Sequence, residues 1–385
     1  MKKKILACGL GAILFGAAFI SPVAISLKAT VGEEDTTMKT QAYQMMITAT
    51  PEEGEIVALH DENSAVYQVA SNYKKYCSAD YYQPGKDIYY PKNLTISWNS
   101  TADAQYYEFE IGLKEDFSDA QSYLLMDTSI ELPDLFAAKT YYYRVTAKGG
   151  AQTVRSHTFT FKTAALPRTI TVPDTSNTRD IGGYFTVDKE YQVKQGMFYR
   201  GGAIGAGGVD TLLNVYGIKT DLDVRGDGSS TTNGSPLGSS VNYVECKGPY
   251  YTGEGGSTIN GKPEYREALL REIQTCAVKA NYPIYLHCSL GRDRTGTLVL
   301  LINGLLGVGE SDLFMDYELS MLSEAGTRDN QTPQNMVGNA FRKMYEYLKT
   351  YSTGSFQQNV EKFMLDLGVT AAEIASIKEI MLEKV

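Results

Sequence analysis

The sequence predicts an α/β domain with a mostly parallel sheet flanked by helices, preceded by an all-β sandwich. Three observations carry this. From about 85 to 165, apolar and polar residues alternate in short runs separated by turns, the period of half-buried strands. From about 166 onward, strand patterns and helix patterns alternate, the order that builds a parallel sheet. Within that second half a short apolar run, Ile284 to Leu286, ends at His287-Cys288. A tight loop and a longer apolar stretch from Leu298 to Leu306 follow it, which reads as strand, loop and helix start.

The chain has 385 residues, enough for two domains. Its formal net charge is −9, and no basic patch stands out, which argues against a nucleic-acid partner. There are three histidines, and no His/Cys cluster has metal-ligand spacing, so no metal and no cofactor is expected. Residues 1–29 read as a secretory signal peptide: Lys2, Lys3 and Lys4, then an apolar run to about Ile20, then small residues with cleavage points at Ala24, Ser26 or Ala29. An uncleaved membrane anchor is the alternative, for which the run is short. Losing the three lysines takes the net charge to −12. The expectation is an acidic protein that is secreted or held at the cell surface. Cys77, Cys246, Cys276 and Cys288 then remain, too few for a disulfide framework. A Cys246–Cys276 bridge and reduced core thiols are both open.

In order along the chain, residues 30–84 stay unassigned, with Glu55 to Leu59 as a candidate strand and Ala65 to Tyr76 as either a helix or a strand pair. Residues 85–165 hold the sandwich. Leu94, Ile96 and Trp98 alternate with polar neighbours, as do Tyr107, Phe109 and Ile111, then Tyr141, Tyr143, Val145 and Ala147. A proline-containing linker over 163–175 leads into the second domain, 166–385. There Gly182 and Gly183 mark a turn that Arg179 and Asp180 are expected to brace as an ion pair. Val209 to Tyr216 predicts a helix stopped by Gly217, and Ile218 to Arg225 a strand with Asp223 near its C-terminal end. Val241 to Cys246 is another strand. A glycine-rich loop runs from Lys247 to Lys262, and a helix opens at Pro263. Beyond Leu306 the chain reads as helical, with Gln334 to Tyr351, Phe356 to Leu367, and a last helix whose Thr370 and Glu373 form a capping box.

The loop from Cys288 to Arg294 carries the chemistry. A loop feeding a helix N-terminus presents backbone N–H groups and the positive end of the helix dipole, a site for a doubly charged anion such as phosphate. Arg294 adds a planar donor fork. Cys288 lies in the same positive field, which favours thiolate. Lowering a thiol from about 8.5 to about 5 requires roughly 5 kcal/mol. A buried core cysteine ending a strand is the bland reading, and it leaves Arg292, Asp293 and Arg294 crowded in one loop without purpose.

His287-Cys288, five residues, then Arg294-Thr295-Gly296 resembles the signature loop of cysteine-dependent protein tyrosine phosphatases. Asn177-Thr-Arg-Asp-Ile-Gly-Gly-Tyr184, Phe198-Tyr-Arg-Gly-Gly-Ala203 and Asp316-Tyr-Glu-Leu-Ser320 resemble elements of its bacterial and fungal branch, which includes secreted bacterial phosphatases and some phosphoinositide-active members. Gly201 stands where that branch usually has serine, and Arg292 where it commonly has lysine. Thr140-Tyr-Tyr-Tyr-Arg-Val-Thr-Ala147, with Trp98 in an early strand, resembles a fibronectin type III domain. In such a domain Tyr141 would be the corner tyrosine bonded to the preceding loop.

The resemblance implies two-step phosphomonoester hydrolysis through a phosphocysteine on Cys288. Phosphoryl oxygens would be held by loop N–H groups of Ser289, Leu290, Gly291, Arg292, Asp293 and Arg294 and by the Arg294 side chain. Thr295 would ease departure of the sulfur. His287 either fixes Cys288 or is a structural histidine. For the general acid, Asp293 leads in that branch, with Asp223 and Glu254 as alternatives; a loop-bracing ion pair is the competing reading of Asp293. The expected partner is a phosphotyrosine protein or, alternatively, a phosphorylated lipid or inositol. An inactive phosphatase-like adhesion protein is the reading from another class. The sandwich would serve as a spacer or contact cell wall, glycan or host surface.

Overall fold

In the computed structural model, the described residues are 47–60, 91–101, 103–165, 167–225, 234–249, 261–323 and 339–385. They fall into two compact units. One holds residues 47–59 and Lys92–Ala165, the other the remainder. The N-terminal 46 residues, Ala65 to Tyr76, Cys77 and Glu254 lie outside the described residues.

The first unit is all β. Its strands are β1 (Ala49–Thr50), β2 (Glu55–Val57), β3 (Leu94–Trp98), β4 (Tyr106–Gly112), β5 (Gln121–Leu125), β6 (Ser129–Leu132), β7 (Thr140–Lys148), β8 (Val154–Arg155) and β9 (Phe159–Thr163). One sheet runs β1-β3-β6; the other runs β2-β9-β7-β4-β5, with β8 beside β7. The alternation in β7 does what its period requires: Tyr141, Tyr143, Val145 and Ala147 face inward. They share one core with Ile96, Trp98 and Ile130 of the other sheet, where Trp98 stacks on Phe109 with ring centroids 5.7 Å apart. The Tyr141 hydroxyl accepts the Phe136 N–H at 2.8 Å. β1 and β2 come from residues 30–84; β2 falls within the candidate strand Glu55 to Leu59, and β1 has no reading. Their signal is weak because each is two or three residues long, and β2 is held by a parallel pairing with the distant β9.

The second unit contains β10 (Arg179–Asp180), β11 (Tyr191–Val193), β12 (Phe198–Gly201), β13 (Thr220–Asp223), β14 (Asn242–Glu245), α1 (Pro263–Cys276), β15 (Ile284–His287), α2 (Asp293–Leu305), α3 (Glu310–Glu318), α4 (Asn339–Lys349), α5 (Phe356–Leu367), α6 (Ala371–Met381) and β16 (Leu382–Lys384). Its main sheet has the order β10-β12-β15-β13-β14, with β11 and β16 paired apart. β12, β15, β13 and β14 are mutually parallel and β10 is antiparallel, so the sheet is mixed. Successive side chains leave on opposite faces. Phe198, Ile284, Leu286 and Leu222 join the core with α1, α2 and α5, whereas Tyr199 and Tyr285 join a second cluster with Leu212, Tyr216 and Ile218. Burial on both faces explains why β15 carries an unbroken apolar run, Ile284 to Leu286. The register sets Gly201, His287 and Asp223 in one row at the C-terminal ends of the parallel strands. That edge of a parallel sheet is where ligands bind.

The helix expected over Val209 to Tyr216 is present: it opens at Val209 and Asp210, continues as a wide π turn over Thr211–Val215, and stops at Gly217, φ +61°. One expectation changes. Arg179 and Asp180 do not pair. As neighbours on β10 they point to opposite faces, so Asp180 binds Arg168 at 2.9 Å and Arg179 binds Asp316 at 3.0 Å. Asp180 still braces the glycine turn, accepting the Gly182 N–H at 2.8 Å. Cys246 and Cys276 are free thiols. The capping box of Thr370 and Glu373 is present, and Ser355 and Gln358 form a second one at α5.

Candidate active site

Cys288 follows the last residue of β15, and Asp293 opens α2. The intervening turn is forced by local chemistry. Gly291 sits at φ +65°, and a Cβ there would lie 2.2 Å from the Gly201 backbone. Only glycine fits.

The carbonyls of four successive loop residues are held on the outside. Ser289 O accepts from the Ala203 N–H at 3.2 Å, and Leu290 O accepts from Asn177 Nδ2 at 2.9 Å. Gly291 O and Arg292 O accept from Arg200 Nη2 at 2.6 and 3.3 Å. In a planar trans peptide the C=O and the following N–H point in opposite directions. Tying these carbonyls outward therefore turns the N–H groups of residues 290–293 to the inside. This is a preformed anion cradle, joined to the N-terminus of a 13-residue helix.

The tying side chains are themselves fixed. Arg200 and Arg179 both bind the Asp316 carboxylate, on Oδ2 and Oδ1 respectively. Arg179 also reaches Asn177 Oδ1 at 2.5 Å, and Asn177 donates to Ser320 Oγ at 3.1 Å. Burial pushes the Asp316 carboxyl up, but the two arginines outweigh it and hold it below the usual range.

Cys288 is 4% exposed. Burial alone would raise its thiol. The Thr295 hydroxyl and N–H, the Arg294 charge and the Leu290 N–H together override that and lower it. The Thr295 hydroxyl is buried, and its effect is the largest of those that lower the thiol. Arg294 Nη1 donates to the Arg225 carbonyl at 2.9 Å and Nη2 to Ser289 Oγ at 3.3 Å, fixing the guanidinium at the cradle. His287 binds Asp221 Oδ1 through Nε2 at 2.9 Å. Burial pulls its imidazole down, but the bond and charge of Asp221 prevail and raise it.

Asp223 stands beside His287 in register, yet it faces Arg225, accepting from Nε and Nη2 at 2.9 and 2.7 Å. Burial opposes ionisation there, and Arg225 outweighs it, so the carboxyl is held low. Through Arg225 it braces Arg294. Asp293 lies at the loop rim with a quarter of its side chain exposed. Arg292 Nε donates to Oδ2 at 3.0 Å and the Tyr317 hydroxyl to Oδ1 at 2.7 Å. Among the described residues no group of His, Cys, Asp and Glu is gathered for a metal ion.

A sequence model of the tyrosine phosphatase family matches residues 170–383, more than half of the chain. The chain belongs to the tyrosine phosphatase family. The Cupriavidus necator protein named "Putative tyrosine-protein phosphatase H16_A0669" is 25% identical over 181 residues. That match covers 41% of this chain and 64% of that protein, so the chain spans less than two thirds of this relative's length. The core catalytic domain of the PP-IP phosphatase SIW14 from S. cerevisiae, solved in complex with citrate, is 17% identical. The match covers 43% of this chain and 87% of that one, with a TM-score of 0.29.

As a member of this family the chain brings together most of the residues singled out from sequence: Cys288 to Thr295, His287 and Asp223. Sequence reasoning missed Asp221, Tyr317 and Tyr285, and gave Asn177, Arg200, Asp316 and Ser320 no individual role. A signal existed in the polar residues set into otherwise buried strand and helix positions. It names no partner, because the partners lie on distant elements. Tyr285 explains the departure at Gly201: a Cβ there would meet its hydroxyl at 2.2 Å, and that hydroxyl donates to Gly202 O at 2.9 Å.

Proposed function

We propose that this chain hydrolyses phosphotyrosine in proteins through a phosphocysteine intermediate. The observation that carries the reading is the inward-facing ring of N–H groups around a thiol lowered toward thiolate, with Arg294 at its edge. Cys288 Sγ attacks phosphorus as the bond to the leaving oxygen breaks. That oxygen takes a proton from Asp293. Water then attacks phosphorus, returns a proton to Asp293 and releases inorganic phosphate, and the sulfur leaves as thiolate, eased by Thr295. The donors are in place before substrate arrives, so they cost no reorganisation in the transition state.

Residues 166–385 form the catalytic domain in this reading. The N-terminal lysines and apolar run support export, and the first unit acts as a fibronectin type III-like spacer or surface contact. The Tyr141 bond and the two sheets sharing a core support that likeness. Among the described residues no helix is long and apolar enough to cross a membrane.

The test is turnover of phosphotyrosine peptide, phosphoserine peptide, phosphoinositides and inositol phosphates, with Cys288→Ser as control. Phosphotyrosine peptide should turn over fastest, and Cys288→Ser should be inert. Preference for the lipid or the inositol phosphates would overturn the substrate assignment. Activity surviving in Cys288→Ser would overturn the mechanism.

A further inference from the structure

Both oxygens of Asp293 are engaged. Tyr317, on α3, donates to Oδ1 at 2.7 Å, and Arg292 Nε donates to Oδ2 at 3.0 Å. The two partners differ in kind. Arg292 is the loop residue that precedes α2, and it is 6% exposed. Tyr317 is 5% exposed, and its ring stacks on Phe341 of α4, centroids 4.5 Å apart and planes 13° apart. The phenol oxygen is therefore fixed by packing. Burial, reinforced by the Asp293 charge, holds the phenol well above its ordinary value, so it keeps its proton and remains a donor. Arg292 in the loop and Arg200 on β12 act on it in the opposite sense.

We infer that Tyr317 is a positioning residue for proton transfer, pinning Asp293 Oδ1 so that Oδ2 alone carries the proton. This rests on the assignment of Asp293 as the acid. An oxygen that already accepts a phenol hydrogen is the carbonyl oxygen of the protonated acid and one of the two equivalent oxygens of the carboxylate. Tyr317 can thus donate in both states. In the first step the Oδ2–H bond breaks and the proton goes to the departing oxygen as the S–P bond forms. In the second a water proton goes to Oδ2 as the S–P bond breaks. Arg292, freed from Oδ2 by the more highly charged phosphate, leaves that oxygen open.

The test uses the full chain. Tyr317→Phe keeps the ring and its stack and removes only the donor. Its kcat on phenyl phosphate should fall about tenfold, and on p-nitrophenyl phosphate, whose leaving group needs little protonation, less than about threefold. The basic limb of kcat/KM should move up by about one pH unit, because the carboxylate loses a donor. Phe341→Leu keeps the hydroxyl and loosens the stack that holds it. It should lower Tm and move the limb in the same direction as Tyr317→Phe, by a smaller amount. In Asp293→Asn the limb should vanish, and adding Tyr317→Phe should change nothing more. If Asp293→Asn abolishes the limb while Tyr317→Phe matches wild type on both substrates, the Tyr317 assignment is wrong and the acid assignment stands. If Asp293→Asn keeps wild-type kcat and limb, the acid assignment fails and the role of Tyr317 falls with it.

Discussion

Arg200 binds Asp316 with one end of its guanidinium and the Gly291 carbonyl with the other, at 2.6 Å. An ion pair with both side chains under 5% exposed thereby sets the backbone of the phosphate loop. Removing one partner of a buried pair costs about 3–5 kcal/mol, because it leaves a charge without compensation. Arg200→Met should lower Tm by several degrees and reduce kcat on any phosphate ester by more than tenfold. Thermal melts and kinetics check this together. Because Asp316 is held low by its arginines, its contribution to stability is present above the usual aspartate range and lost as pH falls. Asp316→Asn should flatten the acid side of the Tm–pH curve.

Thr295 offers its hydroxyl and N–H to the Cys288 sulfur. Thr295→Val removes the hydroxyl and keeps the shape. The thiol should rise, so the pH midpoint for alkylation by iodoacetate should move upward by about one unit. The second step should slow relative to the first, seen as a larger burst of phenol release.

Asp223 is bonded to Arg225, whose carbonyl holds Arg294. Asp223→Asn should raise KM several-fold by loosening that guanidinium. The basic limb of the pH–rate profile should stay where it is. A displaced limb would return Asp223 to the list of proton donors.

Gly201→Ser puts in the residue usual in the group that the sequence resembles and should nevertheless damage this chain. Its Cβ meets Tyr285 Oη at 2.2 Å and Thr178 Cγ2 at 2.8 Å. We expect a loss of stability that Tyr285→Phe partly rescues, since the phenol oxygen is the nearer obstacle. A double-mutant cycle on Tm measures the coupling.

Glu272 is buried in α1, and neither carboxyl oxygen has a hydrogen-bond partner among the described residues. Burial pushes it up to about 8 from 4.5. The folded state therefore holds a proton that the unfolded state has lost between those values. Stability from this group is full below about 4.5 and lost as pH rises through about 8, by up to roughly 5 kcal/mol. Glu272→Leu should raise Tm at pH 8 and change it little at pH 5.

Much of the second unit was legible in the sequence because its signals are local. The strand ending at His287, the tight loop after it and the helix that follows are read from two apolar runs, Ile284 to Leu286 and Leu298 to Leu306, and the polar, glycine-containing stretch between them. The same holds for β7, where alternation names the four inward residues, and for α6, where Thr370 and Glu373 mark the start. The pair expected between Arg179 and Asp180 failed because adjacency in a strand separates side chains instead of joining them. β2 falls inside the candidate strand Glu55 to Leu59, whereas β1 was invisible because a two-residue strand has no period to read.

The sequence by itself determined that a thiol, an arginine and a helix N-terminus share one loop, since all three lie within seven residues. It could not determine what holds that loop open. Asn177 reaches Leu290 across 113 residues, Arg200 reaches Gly291 across 91, and Asp316 meets Arg200 across 116. Those distances close only when β12 and β13 flank β15 in parallel register and α3 supplies Asp316. The carbonyls then turn outward and the N–H groups inward, and a strand–loop–helix becomes an anion cradle.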